Sequence, residues 1–175
     1  MSNTLSKIVD KLSSYQLFNY LFPGVIFNYA VEQTMSFRIA PDDILYRLFV
    51  YYITGMVLSR IGSIIIQPVY KKLCWVVYAE YKDYLKAEGI DPKLNLLLSE
   101  NNTYRTLIAT FFCLLVLYVI DQIVWLHDKY DALFAIIFYL VFFIILFSIS
   151  FRKQTDFIRR RIDRILELKK EKIVL

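Results

Sequence analysis

The sequence predicts an all-α integral membrane protein, and three observations carry that expectation. Four long apolar stretches, Leu17–Val31, Leu45–Val69, Thr106–Leu126 and Ala132–Phe151, fill most of the 175 residues. The last holds no charged residue over about the length a helix needs to cross roughly 30 Å of hydrocarbon. Each stretch is apolar all round rather than on one stripe, and a soluble chain this short cannot bury four of them. The composition, 58% hydrophobic, 17% aromatic and 21% charged, fits neither a disordered chain nor an ordinary soluble core. Long continuous runs also argue against a membrane barrel, which alternates over short strands. The expected architecture is a four-helix transmembrane domain over residues 1–151, with an amphipathic N-terminal helix and a helical cytoplasmic loop at 70–105. A basic amphipathic tail helix follows over 152–175.

The net charge of +5 is distributed as a topology signal rather than a nucleic-acid footprint. Of 21 Lys and Arg residues, nine lie in the tail, six between the second and third runs, and two before the first. The opposite-side segments hold only Arg38, Arg47 and Lys129, and Arg60 sits inside a span. Cytoplasmic flanks retain Lys and Arg, so both termini and the central loop are expected in the cytoplasm of a bacterial inner-membrane protein. An even number of crossings is then required, and four satisfies it. No convincing signal-peptide cleavage site follows the first apolar run.

Taken in order, Ser2–Ser14 places Leu5, Ile8, Val9 and Leu12 at helical spacing opposite Lys7, Asp10 and Lys11, as an interfacial helix does. In the first span, Pro23 and Gly24 predict a helix break, because proline removes a backbone donor and disfavours helical geometry at Phe22. The break reads as a packing kink, with a ligand site as the alternative. Pro41-Asp42-Asp43 reads as a helix start, and the second span ends near Gln67-Pro68. In the central loop, Trp75–Glu88 recurs as one aromatic face through Trp75 and Tyr78, and Gly89 ends that helix. Asp91-Pro92 supplies an N-cap and first-turn proline for a further helix, which Glu100-Asn101-Asn102 should interrupt. Trp125 and Tyr130 are expected as outer interfacial anchors. In the tail, Ile158, Ile162, Ile165 and Leu166 form an apolar stripe among Arg159, Arg160, Arg161 and Arg164. It can serve as a lipid-held flank, a short coiled coil, or a dock for an acidic partner.

The second span carries the strongest signal unrelated to lipid. Gly55, Ser59, Gly62 and Ser63 cluster on one side, the small-residue pattern of close helix contacts within a chain or between copies. Arg60 and Gln67, seven apart, are expected to share a line beside Ser63 that looks into protein. A charge at that depth costs roughly 2.5–3.5 kcal/mol on insertion scales. Asp121 lies about 8 Å higher by helical rise, so a direct pair is not expected. Arg60 is instead assigned to carbonyls near Pro23, to Ser59 and Ser63, to a snorkelled lipid phosphate, or to an anion-selective pore. Asp121 is expected to meet interfacial water.

Catalytic chemistry finds no support in the motifs. The only histidine, His127, lies in an outer turn, and no phosphate loop, HExxH or paired carboxylates appear. Cys74 and Cys113 with one histidine make no zinc site, so neither metal nor cofactor is expected.

The run from Ser14 to Gly24, Ser59-Arg60-Ile61-Gly62-Ser63 and Leu98–Thr106 resemble, over residues 14 to about 120, a group of small bacterial inner-membrane proteins left uncharacterised. Small four-span chains of this kind also resemble membrane subunits of antiphage systems, such as the Kiwa membrane component. That resemblance implies action with a separate cytoplasmic partner. The expected function is therefore a non-enzymatic, self-associating inner-membrane subunit that recruits a cytoplasmic protein in phage defence. An oligomeric channel or pore and a structural membrane organiser stand as alternatives.

Overall fold

The computed structural model describes residues 16–35, 39, 41–125 and 130–174, with side chains except at 124–125, 130–133 and 170–174. The amphipathic start at Ser2–Ser14, the turn with His127, and the charges Arg38 and Lys129 lie outside the described residues. So do the side chains of Trp125 and Tyr130. The described chain is all-helical, 88% helix with no strands. Helix α1 covers residues 17–34, α2 Ile44–Lys72, α3 Tyr81–Glu88, α4 Lys93–Trp125 and α5 Tyr130–Val174.

Three described helices are long and apolar enough to cross a membrane: Ile44–Lys72, Lys93–Ile123 and Phe134–Lys169. Their outward surfaces carry Phe134, Phe138, Tyr139, Ile64 and Ile123, each more than 60% exposed. Apolar side chains so exposed on helices of that length suit the interior of a membrane. The first apolar run is helical but falls outside this set of three, its apolar character diluted by Asn19, Asn28, Glu32 and Gln33.

Pro23 does not break α1. The chain opens into a π turn at Leu17–Leu21, closed by the Phe22 amide on the Leu17 carbonyl, and Phe22 keeps helical angles. The same device recurs at Gly62–Ile66, closed by the Gln67 amide on Gly62, two residues before Pro68. In an α-helix each proline ring would crowd the carbonyl four residues back and leave it without a donor. A wider turn just before the ring relieves that conflict without ending the helix.

Gly24 and Gly55 set how closely α1 meets α2. A methyl carbon on Gly24 would stand 1.8 Å from the Tyr51 carbonyl oxygen, and one on Gly55 1.7 Å from that of Tyr20. The two backbones therefore touch, as small residues permit. Phe27, Val31, Leu58, Leu107, Phe111 and Leu114 join α1, α2 and α4 in one core. The rings of Phe143 and Phe147 on α5 stack on Phe111 at 4.8 and 5.7 Å.

The central loop differs from the expected pair of helices. Only Tyr81–Glu88 is helical in its first half, because Cys74 takes a left-handed turn (φ 52°) and residues 76–80 run without regular structure. The reversal is fixed by the Trp75 amide on the Tyr70 carbonyl and by Val76, which is buried against Ile66, Ile108 and Phe151. Gly89 ends α3 as expected, and Asp91 caps α4 at the Lys93 amide. The expected interruption at Glu100-Asn101-Asn102 is absent: α4 is one 33-residue helix. Asn101 breaks nothing because its amide donates to Thr155 on α5 at 3.0 Å rather than competing for its own backbone.

Helix α5 continues unbroken from the apolar segment into the tail. Ile158 and Ile162 bury against Ala87 and Leu94, with Ile165 and Leu166 beside them, so the tail's apolar stripe is covered within the chain. Arg161 clamps this contact, donating from Nε and a terminal nitrogen to one Asp91 oxygen at 2.7 and 2.5 Å. That hydrogen bond, aided by the Lys93 amide, holds the Asp91 carboxyl below the usual carboxylate range. A lowered pKa means the clamp is complete at neutral pH and weakens as pH falls through it. Asp91→Asn is expected to speed hydrogen exchange across residues 155–169 at neutral pH. Acidification should produce the same loosening in the unchanged protein and add nothing in the variant.

Candidate functional site

Two regions hold the polar side chains that the apolar helices position. The first is a node buried between α1, α2 and α4. Asn19, fully buried in the first π turn, donates to Ser59 Oγ at 3.1 Å. The Thr106 hydroxyl lies 2.8 Å from Asn19 Oδ1 and 2.9 Å from the Asn102 carbonyl, and its one proton serves both. Thr110 follows one turn on, bonded to the Thr106 carbonyl. Three helices are thereby registered by side-chain amide and hydroxyl groups inside an apolar layer. Neither Asn19 nor Thr106 was singled out from the sequence. The available signal was an amide and a hydroxyl standing alone in apolar runs.

The small residues of α2 are used inside the chain. Gly55 meets the Tyr20 backbone and Gly62 the Arg105 backbone, where an added methyl would stand 3.1 Å from the carbonyl oxygen. Ser59 is buried under Asn19, and Ser63 is half-buried. Through Gly55, Ser59 and Gly62 this face is therefore a packing surface within the chain, the first of the two readings its small residues allow.

Arg60 and Gln67 do not share a line. The π turn at Gly62–Ile66 places one more residue in the turn, which swings the remainder of α2 by about 100°. Gln67 accordingly accepts from Arg105 on α4. Arg60 points outward, exposed in a shallow groove with Tyr20, Met56, Val57 and Ile64, and makes no hydrogen bond to Ser59, Ser63 or the carbonyls near Pro23. The side chain leaves the bundle, so Arg60 does not line the interior of the single chain. Asp121, expected in interfacial water, is only 4% exposed.

The second region is the platform made by α3, the start of α4 and the tail. The predicted docking residues separate here into inward and outward sets. Trp75 lies under Arg152, whose guanidinium is 4.6 Å from the ring centre, a cation–π contact. Tyr78 and Arg159 face inward, and Arg161 is held by Asp91. Arg160 and Arg164 remain exposed. With Lys153, Phe157 and Leu168, also exposed, they fall within about 80° of the helix circumference at 100° per residue. The outward face of the tail is thus a basic stripe with an aromatic and an aliphatic side chain in it. Periodicity identified the opposite, buried stripe first because that one is wholly apolar.

No group of three or more His, Cys, Asp or Glu placed to hold a metal ion occurs among the described residues. Fold and site together define an all-helical protein with apolar helices able to span a membrane and a helical platform at one end. No known family, curated protein or solved structure matches the chain.

Proposed function

We propose that this chain is a non-enzymatic inner-membrane subunit whose platform recruits a cytoplasmic protein through the outward stripe of the tail. In this reading α1 is a fourth crossing. Its 18 residues rise about 27 Å, near the hydrocarbon thickness, and it packs against α2 and α4. Four crossings put both termini and the platform on the cytoplasmic side, where the Lys and Arg excess belongs.

One observation carries the choice of a protein partner over lipid. Helix α5 continues from the apolar segment into the tail as one helix, and its tail packs against α3 and α4. Arg164 therefore stands about 18 Å beyond Arg152 along the axis. Surface potential decays over a Debye length of about 8 Å at physiological salt, so the far half of the stripe gains little from headgroups. A basic, partly apolar helix face held off the membrane suits an acidic amphipathic surface. The resemblance read from the sequence motivates taking a cytoplasmic defence effector as that partner.

Cross-linking followed by purification of the full chain in mild detergent tests this. A stoichiometric cytoplasmic partner is expected, lost with the double charge reversal Arg160→Glu and Arg164→Glu and kept with the corresponding lysine substitutions. A chain recovered alone, or a partner indifferent to the reversal, sinks the proposal.

A further inference from the structure

Between residues 78–84, α4 and the tail lies a cavity of about 210 Å³ lined by Tyr78, Tyr81, Tyr84, Asn101, Thr155 and Arg159, among others. Two of its side chains end in buried atoms with no hydrogen-bond partner: the Tyr78 hydroxyl and the Arg159 Nε. Leaving such groups unpaired is costly, and most buried polar atoms in folded proteins are paired. Asn101 and Thr155 satisfy one another, so the need is confined to the first two.

Both are proton donors. Arg159 is a permanent cation whose Nε can only donate. Burial pushes the Tyr78 phenol up to about 12 despite the opposing charge of nearby Arg105, so its proton stays on at neutral pH. No carboxylate lines the cavity among the described residues, and neither Asp156 nor Asp163, a turn away on each side, forms an ion pair with Arg159. A water molecule can accept from both donors but leaves the guanidinium without a counter-charge. An anionic oxygen meets both needs at once.

Depth narrows the chemistry. Arg159 lies seven residues past Arg152, about 10 Å along the helix, a few ångströms beyond a headgroup layer roughly 5–8 Å deep and within reach of a headgroup phosphate or a soluble one. The volume accommodates a phosphate group with a small polar substituent. We propose that this cavity binds a phosphate group, carried by an anionic phospholipid headgroup or a small soluble phosphate ester. Arg159 Nε and the Tyr78 hydroxyl donate to its oxygens, and the Tyr81 and Tyr84 rings form the wall. This site is independent of the partner proposed for the outward stripe.

The test is ligand-dependent thermal stability and native mass spectrometry of the full chain in detergent. The probes are short-chain phosphatidylglycerol, short-chain phosphatidylcholine, glycerol phosphate and inorganic phosphate. Binding is expected for at least one anionic phosphate probe. It should weaken by about tenfold or more in Arg159→Gln and in Tyr78→Phe, while Lys82→Gln, the same charge change on α3, leaves it unaltered. Phosphatidylglycerol alone would assign a lipid source, and glycerol phosphate or inorganic phosphate a soluble one. Tyr78→Phe also guards against a folding artefact. It removes an unpaired buried hydroxyl, so the ligand-free protein should be no less stable while the ligand-induced gain shrinks. No stabilisation by any probe, equal binding to phosphatidylcholine, or equal losses in Arg159→Gln and Lys82→Gln would overturn the site.

Discussion

Gly55→Leu is expected to cost the protein its native bundle. Even the first carbon of the new side chain would lie 1.7 Å from the Tyr20 carbonyl oxygen, well inside contact distance. The obstacle is backbone, so no side chain can rotate away, and α1 and α2 must separate along the crossing. Overpacking a core usually costs 1–3 kcal/mol, and a clash that moves a whole helix belongs above about 3 kcal/mol. Separation would also pull Asn19 from Ser59, 3.1 Å away in the native crossing. Gly24→Leu should match it, since its clash with Tyr51 is the mirror of the first. Alanine substitutions supply a graded series. Gly24→Ala and Gly55→Ala should lower the melting temperature in detergent most. Gly62→Ala should lower it slightly, because its nearest atom is 3.1 Å away. Gly89→Ala, with nothing closer than 3.7 Å, should change little. A flat series would show that α1 does not rest on α2 as described.

Asn19→Asp is the second large effect. Asn19 is wholly buried and uses its amide as donor to Ser59 and its carbonyl oxygen as acceptor from Thr106. Aspartate keeps the shape and the acceptor but loses the donor and brings a charge into an apolar layer. Insertion scales price such a charge at about 2.5–3.5 kcal/mol. Asn19→Leu removes the hydrogen bonds without adding charge. Hydrogen bonds between membrane helices average about 0.6 kcal/mol each with a maximum near 1.7 kcal/mol, so its cost should be smaller. Thermal unfolding followed by size-exclusion fluorescence would rank the two. Leucine more damaging than aspartate would mean that the node is wet or absent.

How much of this was legible in the sequence depended on the kind of interaction. The apolar runs, the Asp43 and Asp91 caps and the Gly89 stop were readable because each rests on local chemistry: hydrophobic length, a carboxylate accepting the Leu45 and Lys93 amides, a helix terminus. The Trp75–Glu88 helix was misread because its aromatic periodicity is real, but burying Val76 against α2, α4 and α5 outweighs it. Asn101 looked like a breaker for the same local reason and is instead a donor to a residue 54 positions away. The alignment of Arg60 with Gln67 failed because it assumed 100° per residue through a π turn that Pro68 induces.

The linear chain by itself determined that this protein is helical and apolar enough to span a membrane, because length and hydrophobicity along a segment are local properties. It also located the small-residue face of α2 and the basic tail. Only the tertiary structure decided which partners those faces take. Gly55 meets Tyr20 within one chain, Arg60 turns outward while Gln67 turns to Arg105, and Arg161 is spent on Asp91 while Arg160 stays exposed. The physical reason is that a helix face is set by sequence period, whereas what lies opposite it is set by crossing points and register. Those depend on backbone contacts between residues tens of positions apart.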